Sequence, residues 1–464
     1  MANFWDSNVW GTINLVAILL LSLLAANMLK RSIRFLNDSL IPTSVLGGGL
    51  LLVAAGLYDL LSGGTPIFET AFFGGNGYTV LEIITYHALA LGFIASSFKT
   101  ENDKLSKQRL TEIFNTGVTT VSTYLVQAVV GFGITMLATL VIKDFFPAAG
   151  VLLPFGYGQG TGQALNYGNI YETEFGFVGG KTFGLTIAAL GFLSASVGGV
   201  IHLQLMKRRG KVVISSKKTD SIGAAQIQSK NEIPWQGSID KMTLQIAFVA
   251  VAYLLAYFIM MLLGLVLPGM KSVIFGFNFL LGVLTATVVK TVIHRLHKKN
   301  LIHREYINDF LMTRISNFCF DIMVVAGIAA IRLGLLQSYW GILLILGVVG
   351  LVATYAYNRF VVNILFPAYK EEQFLAMFGM LTGTASTGVI LLREVDGDFK
   401  TPVSDNLVYQ NFPAIAFGFP IMLLATMAPV KPVLTTILLA AFLVVLNVIL
   451  FRAQIFKKKK TAVK

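Results

Sequence analysis

The chain is poor in charge for its length. Only 13% of its 464 residues are charged, whereas about a quarter of the residues in soluble domains are. Hydrophobic residues make up 55% of the sequence, and the mean hydropathy is +0.73. A chain with this composition is excluded from the water-soluble class. The sequence therefore predicts an integral membrane protein whose surroundings are a lipid bilayer.

Cysteine is nearly absent, and the common catalytic motifs are missing. Cys319 is the single cysteine, so no internal disulfide can form, and its apolar neighbours predict a buried thiol. The sequence has no His-Glu-x-x-His motif, no paired cysteine ligands and no GxxxxGK[ST] loop. We therefore expect neither an enzyme nor a bound cofactor.

Basic residues outnumber acidic ones, 36 to 23, which gives a formal charge of +13. They cluster at the ends of apolar runs, as the flanks of membrane spans do, so we expect no nucleic-acid partner. The first ten residues contain Asp6 but no lysine or arginine, unlike the basic leader of a signal peptide. The first apolar run is therefore expected to be a retained span.

Apolar runs of about 20 residues, the length of a helix that crosses the hydrocarbon layer, recur along the chain. The fold class predicted is an all-α polytopic membrane protein with about eleven transmembrane helices. The spans are expected at 11–29, 41–61, 80–98, 112–142, 176–205, 242–267, 273–292, 307–331, 339–358, 407–428 and 432–451. Two further segments, 145–170 and 366–392, are broken by glycine, threonine and other polar residues, which predicts re-entrant hairpins or broken helices.

The basic residues also predict an orientation, because lysine and arginine collect on the cytoplasmic side. An outside N-terminus and a cytoplasmic C-terminus place the basic segments 207–241 and 457–460 inside. The basic residues left outside in this arrangement are Lys143, Lys271, Arg332 and Lys431. The two broken segments then enter the membrane from opposite sides.

This orientation predicts an inverted-topology repeat, the plan of many secondary transporters. The first repeat is 1–205 with its hairpin at 145–170, and 206–241 is a cytoplasmic linker. The second repeat is 242–428 with its hairpin at 366–392, and 429–464 adds a span and a basic tail. Four identities share one offset of 223 positions, since Phe-Gly at 155–156 and Gly-Thr at 160–161 recur at 378–379 and 383–384.

The two hairpins carry the side chains that we expect to bind solute. Glycines allow close approach of the backbone, and half-helix N-termini favour anions. Gln159, Gln163 and Asn166 can bind a carboxylate or an amide. Hydroxyl and carbonyl oxygens suit sodium, and the candidates are Thr161, Thr382, Thr384, Ser386 and Thr387. The alternative is that these small residues only allow close helix packing.

Charged residues inside spans are costly and often functional. Asp321 lies within the eighth span and could bind sodium, carry a proton or form a structural ion pair with a residue such as Arg314. Arg393 follows the second hairpin and could bind a carboxylate or anchor the chain at the inner interface. For Glu82 and His87 near the start of the third span, a structural role is favoured.

At the first hairpin the chain resembles the bacterial sodium/glutamate symporter family, which has a Gly-His-Gly-Thr-Gly signature there. The string here is Gly-Gln-Gly-Thr-Gly at 158–162, followed by Glu-Thr-Glu-Phe-Gly-Phe at 172–177. Ile41-Pro42, the glycines at 47–49 and the loop 379–388 also resemble that family. This sequence departs from it at Gln159, where the family has histidine, at Ser386, where it has proline, at Asp321 and in an extra last span.

The resemblance implies a sodium-coupled symporter of glutamate or a related carboxylate. It implies a homodimer in the bacterial inner membrane, with a scaffold and a moving transport domain. Gly160, Thr161, Gly162, Gly383 and Thr384 are then expected to shape the substrate and sodium sites. A proton-coupled carboxylate transporter and, from a different class, a channel or a membrane-embedded sensor remain as alternatives.

Overall fold

The computed structural model describes residues 3–63, 65–99, 106–210, 239–301, 306–397 and 400–455. Ten helices in this part are long and apolar enough to cross a membrane, and Val403–Tyr409 with Asn411–Met427 forms an eleventh, bent by 47°. The predicted all-α polytopic class is confirmed, with ten spans or, if the bent pair is one span, the eleven that were predicted. Most of the predicted linker, 211–238, and the basic tail at 457–460 lie outside the described residues.

One group of helices, here called the first bundle, is built from the opening spans of both halves of the chain. Its helices are α1 (Ser7–Ser32), α2 (Arg34–Asp38), α3 (Thr43–Leu61), α4 (Gly77–Ser97), α8 (Lys241–Val266), α9 (Lys271–Gly276), α10 (Asn278–Lys298) and α11 (Asp309–Ala329). Side-chain caps begin α8 and α11, where Asp240 and Asn308 accept hydrogen bonds from backbone N–H groups of the first turn.

The second bundle contains the later spans of each half and both broken segments. Its helices are α5 (Lys107–Ala138), α6 (Leu152–Phe175), α7 (Gly180–Arg208), α12 (Trp340–Leu365), α13 (Lys370–Thr382), α14 (Ala385–Arg393), α15 (Val403–Tyr409), α16 (Asn411–Met427) and α17 (Pro432–Leu450). A last short helix, α18, spans Arg452–Ile455. The two bundles meet mainly through α6, which packs against α4 and α11.

The packing of the helices repeats between the two halves. In the first bundle α3 packs against α1 and α11, and α10 packs in the same way against α8 and α4. In the second bundle α5 packs against α6 and α16, and α12 packs correspondingly against α13 and α7. The two sets of contacts correspond if α4 is taken as equivalent to α11, and α5 as equivalent to α12. The broken segments lie beside that central α5–α12 pair.

Candidate functional site

The first broken segment, α6, is a hairpin. Its helical backbone is interrupted at Gly160, where φ is 79° and ψ is −170°. The rings of Phe155 and Tyr167 stack with their centroids 3.9 Å apart. In a straight helix, twelve residues would separate these side chains by about 18 Å. The chain therefore folds back on itself, with 152–159 as one arm and 161–175 as the other.

The second broken segment is also a hairpin, formed by α13 and α14. A Cβ at Gly379 in the first arm would lie 2.9 Å from Cα of Gly388 in the second arm. The arms are joined by Gly383 and Thr384, which have non-helical backbone angles. The Thr384 hydroxyl caps α14 by accepting a hydrogen bond from the backbone N–H of Thr387. Only small residues allow the arms to lie this close.

The tips of the two hairpins meet. A Cβ at Gly160 would lie 3.7 Å from Cγ2 of Thr384 and 3.9 Å from the carbonyl oxygen of Gly383. Gly160 and Gly383 are 223 positions apart, the same offset that relates the two sequence segments. The breaks in the two halves are therefore equivalent in sequence and adjacent in space.

Two half-helices begin at this meeting point, one at Thr161 and the other at Ala385. The first N–H groups of a helix have no partner within it, and the helix dipole makes this end positive. Hydroxyl groups lie on residues next to the two breaks: Oγ1 of Thr384 lies 3.2 Å from Oγ1 of Thr387, and Thr161 donates to the carbonyl of Met323 on α11. The Thr382 hydroxyl donates to the carbonyl of Phe378. The tips thus combine anion-binding N–H groups with oxygen atoms that suit a cation.

The environments of equivalent tip positions differ. Gly162 and Gln163 in hairpin 1 are buried, whereas Ala385 and Ser386, 223 positions later, are exposed. A Cβ at Gly162 would lie within 3 Å of Leu89 of α4, so packing against the first bundle accounts for this glycine. Hairpin 1 is pressed against the first bundle, while part of the hairpin 2 tip is open.

The predicted amide side chains lie at and behind the hairpin 1 tip. Gln159 is half-buried beside Gly160. Gln163 is 1% exposed, and its Nε2 has no hydrogen-bond partner among the described residues. Asn166 donates to Oε1 of Gln163 and to the carbonyl of Gly276. An unpaired buried donor is costly unless a ligand or water accepts from it, so Gln163 is suited to hydrogen-bond a solute.

A cavity of about 320 Å³ reaches Asn166 from the boundary between the bundles. Its walls include Glu82 and Tyr86 of α4 together with Asn169 and Lys181 of the second bundle. Lys181 pairs with Glu82 at 2.8 Å and with Glu172 at 3.7 Å, and Glu82 also pairs with Arg332 at 3.2 Å. The structural role favoured for Glu82 from the sequence agrees with these ion pairs.

The structure does not bring Arg393 and Asp321 to the tips. Arg393 is the last residue of α14, nine residues from Thr384, which is about 13 Å along the helix. Asp321 lies near the Ser44 hydroxyl on the face of α11 that packs against α3, and its side chain is exposed. Arg314 stacks over Phe310, and no Arg314–Asp321 ion pair occurs among the described residues.

The sequence interpretation missed a buried ion cluster at the base of hairpin 2. Arg359 of α12 makes two hydrogen bonds to the carboxylate of Glu371, at 2.8 and 2.9 Å. Nε2 of His202 lies 3.1 Å from the same carboxylate, and its Nδ1 lies 2.9 Å from the hydroxyl of Tyr355. The sequence did contain an indication of this cluster, because Arg359 and His202 fall within or at the end of apolar helices, where charged and titratable residues usually have partners.

The chain was also compared with known proteins. A scan against protein-family models found no match, and a search of curated proteins found none either.

Proposed function

We propose that this protein is a secondary transporter that binds a small anionic solute between the two hairpin tips. The observation that carries the proposal is the close approach of Gly160 to Gly383 and Thr384, which places two equivalent helix breaks side by side. A broken helix in a membrane requires partners for its freed backbone groups. Bound solute and ions can supply those partners.

The solute class follows from the groups at the tips. The N-termini of two half-helices favour an anion, and the unpaired Nε2 of Gln163 can donate to a carboxylate. Glutamate or a related carboxylate fits these donors and agrees with the sequence resemblance. Asn166 lines the 320 Å³ cavity and donates a hydrogen bond to Gln163.

Sodium is the proposed coupling ion. The hydroxyls of Thr161, Thr384 and Thr387 are uncharged oxygen ligands, the kind that a monovalent cation can share with backbone carbonyls. An inside-negative potential of 100 mV contributes about 2.3 kcal/mol per sodium that enters, so two or three sodium ions could concentrate an anion many-fold.

Alternating access is proposed to arise from movement of the second bundle against the first. The equivalent pairs of helices within each bundle, and the unequal exposure of the two tips, are what an inverted repeat shows in one of its two states. The proposal includes a homodimer in the bacterial inner membrane, with the first bundle as scaffold, the N-terminus outside and the C-terminus cytoplasmic.

The test is uptake of labelled glutamate, aspartate and dicarboxylates into proteoliposomes under an inward sodium gradient. We expect uptake of one of these acids to require sodium, and Thr384→Val to raise the sodium concentration at half-maximal uptake by about ten-fold through loss of a ligand oxygen. The matched control is Thr426→Val, because the Thr426 hydroxyl is exposed and bonds only to its own helix at Leu423.

Other outcomes would favour the alternatives. Uptake that ignores sodium and follows a proton gradient would replace sodium coupling by proton coupling, with Asp321 as the residue to examine. Conductance steps in planar bilayers, without concentrative uptake, would indicate a channel.

A further inference from the structure

Helix α5 contacts the tips of both hairpins through two side chains. The hydroxyl of Tyr124 donates to the carbonyl of Gly158 in hairpin 1 at 3.0 Å. Nε2 of Gln127 donates to the carbonyl of Leu381 in hairpin 2 at 2.9 Å. Because Tyr124 and Gln127 are three residues apart on one helix, they lie on the same face of α5.

The two acceptors occupy equivalent positions. Gly158 and Leu381 are 223 residues apart, and each lies two residues before the glycine of its tip. The last carbonyls of a helix have no partner within it, so the end of each first arm requires an outside donor. One helix supplies that donor to both hairpins.

These contacts are tightly packed as well as polar. A Cβ at Gly158 would collide with the ring of Tyr124. Gln127 is completely buried and also donates to Oγ1 of Thr354 on α12, at 2.8 Å. Both tips are therefore fixed to α5 with little room to shift.

The corresponding positions of α12 do not carry such donors. Gly347 and Gly350 lie 223 residues after Tyr124 and Gln127. Tyr157 of hairpin 1 lies beside Gly350, and its hydroxyl donates to the carbonyl of Gly347 at 2.6 Å, while Leu190 of α7 lies beside Gly347. Among the described residues, the side-chain donors to the carbonyls of Gly158 and Leu381 thus come from α5 and not from the corresponding positions of α12.

We propose that Tyr124 and Gln127 are positioning residues that set the separation of the two hairpin tips. The part of this inference that concerns transport rests on the proposed function. Each side chain acts on one tip by capping the arm that leads to it, so loss of one donor releases one tip. The affinity of the site for sodium then depends on α5, although neither residue is placed in contact with the ion.

Hydrogen–deuterium exchange on the full chain in nanodiscs tests the positioning directly. We expect Tyr124→Phe to raise exchange of the amides at 164–167, the first ones bonded within their half-helix, about three- to ten-fold and to leave those at 388–391 unchanged, as loss of one hydrogen bond implies. Gln127→Met should do the reverse. The control is Thr119→Val, which removes a buried α5 hydroxyl that bonds only to Asn115 of the same helix.

Two results would overturn the positioning role. One is faster exchange at both tips in each variant, which indicates general loosening of the fold. The other is unchanged exchange at both tips. Hydrogen–deuterium exchange does not depend on transport, so this test of the positioning role remains valid even if the proposed function is wrong.

Transport supplies the second readout. In sodium-driven glutamate uptake, both variants should raise the half-saturating sodium concentration several-fold while the maximal rate at saturating sodium is retained. A lower maximal rate with unchanged sodium dependence would contradict control of the site by α5. Absence of sodium-driven uptake in the unmodified protein would instead contradict the proposed function.

Discussion

Lys181 of α7 and Glu82 of α4 form a salt bridge across the boundary between the two bundles, with Nζ 2.8 Å from Oε2. Lys181 also contacts Glu172, but that carboxylate belongs to its own bundle. Lys181 therefore has one partner that a relative movement of the bundles would remove and one that would stay.

This difference gives a test of bundle movement by cross-linking. In a Cys319→Ala background, Glu82→Cys with Lys181→Cys, joined by a short bifunctional methanethiosulfonate, should stop glutamate uptake because the bundles can no longer separate. Reduction should restore uptake. The control is Glu172→Cys with Lys181→Cys, whose cross-link stays within the second bundle and should be tolerated. Undiminished uptake by the cross-linked 82–181 protein would show that the bundles do not move apart there.

Gly160 and Gly176 both have positive φ, 79° and 71°, but they differ in surroundings. A Cβ at Gly160 approaches Thr384, whereas one at Gly176 meets nothing within 4 Å. We expect Gly160→Ala to lower the free energy of unfolding by about 2 kcal/mol and Gly176→Ala by about 1 kcal/mol, from backbone strain. Thermal unfolding in detergent measures this.

The two glycine variants should differ further in transport. Only Gly160→Ala should raise the half-saturating glutamate concentration, by about ten-fold, because only there does the strained backbone lie at a hairpin tip, where relief of the strain would move the proposed binding groups. Equal glutamate affinity in both variants would show that the tip contact does not shape the site.

The Glu371–Arg359 pair should stabilise the base of hairpin 2. The Glu371 side chain is 7% exposed, and removal of one member of a buried ion pair typically costs about 3–5 kcal/mol. We expect Arg359→Met to cost about 3 kcal/mol in thermal or denaturant unfolding. Arg34→Met is the control, since the Arg34–Asp38 pair is largely exposed and should contribute little. Equal stability of the two variants would argue against a structural role for the cluster.

Asp396 organises the turn after hairpin 2. Its carboxylate accepts hydrogen bonds from the backbone N–H groups of Lys400 and Thr401, each at 2.8 Å, and from the Thr401 hydroxyl at 2.5 Å. Burial raises the pKa of the Asp396 carboxyl, but these hydrogen bonds outweigh it and hold the pKa below its usual value. The ionised form is therefore favoured in the folded protein.

A lowered pKa stabilises the fold above the unfolded pKa and loses that effect as the pH falls towards the folded pKa. We expect Asp396→Asn to cost about 2 kcal/mol between pH 6 and 8, with the difference shrinking below about pH 4. Unfolding of both proteins across this pH range is the measurement. A difference that does not change with pH would mean that the charge of Asp396 is not involved.

Much of the fold could be predicted because apolar runs of span length are a local property of the sequence. The eleven spans and the positions of both helix breaks were predicted. The choice between hairpin and kinked span was left open, since only contacts such as Phe155 with Tyr167 decide it. The meeting of the tips depends on packing between halves, although the repeated Gly-Thr at 160–161 and 383–384 pointed to it.

The roles of Tyr124 and Gln127 could not be predicted. Each is one of several polar residues in α5, with nothing in the local sequence to set it apart, and the partner of Gln127 lies 254 residues away. Asp321 was predicted to act with the tip residues only because it is a charged residue inside a predicted span, which is a local property of the sequence. The face of α11 on which Asp321 lies is set by its packing against α3.

The glycines at 347 and 350 mean that the two halves of this chain are not interchangeable. A chimaera with the α5 sequence in place of α12 would put a glutamine at 350, with its Cβ 3.1 Å from Cε1 of Tyr157, and a tyrosine at 347, with its Cβ 3.3 Å from Leu190. The reverse exchange would leave the Gly158 and Leu381 carbonyls without their donors. The two halves are similar in the packing of their helices but differ in role. Helix α5 of the first half supplies the hydrogen-bond donors that hold both tips, and helix α12 of the second half supplies the space beside Gly350 in which Tyr157 lies.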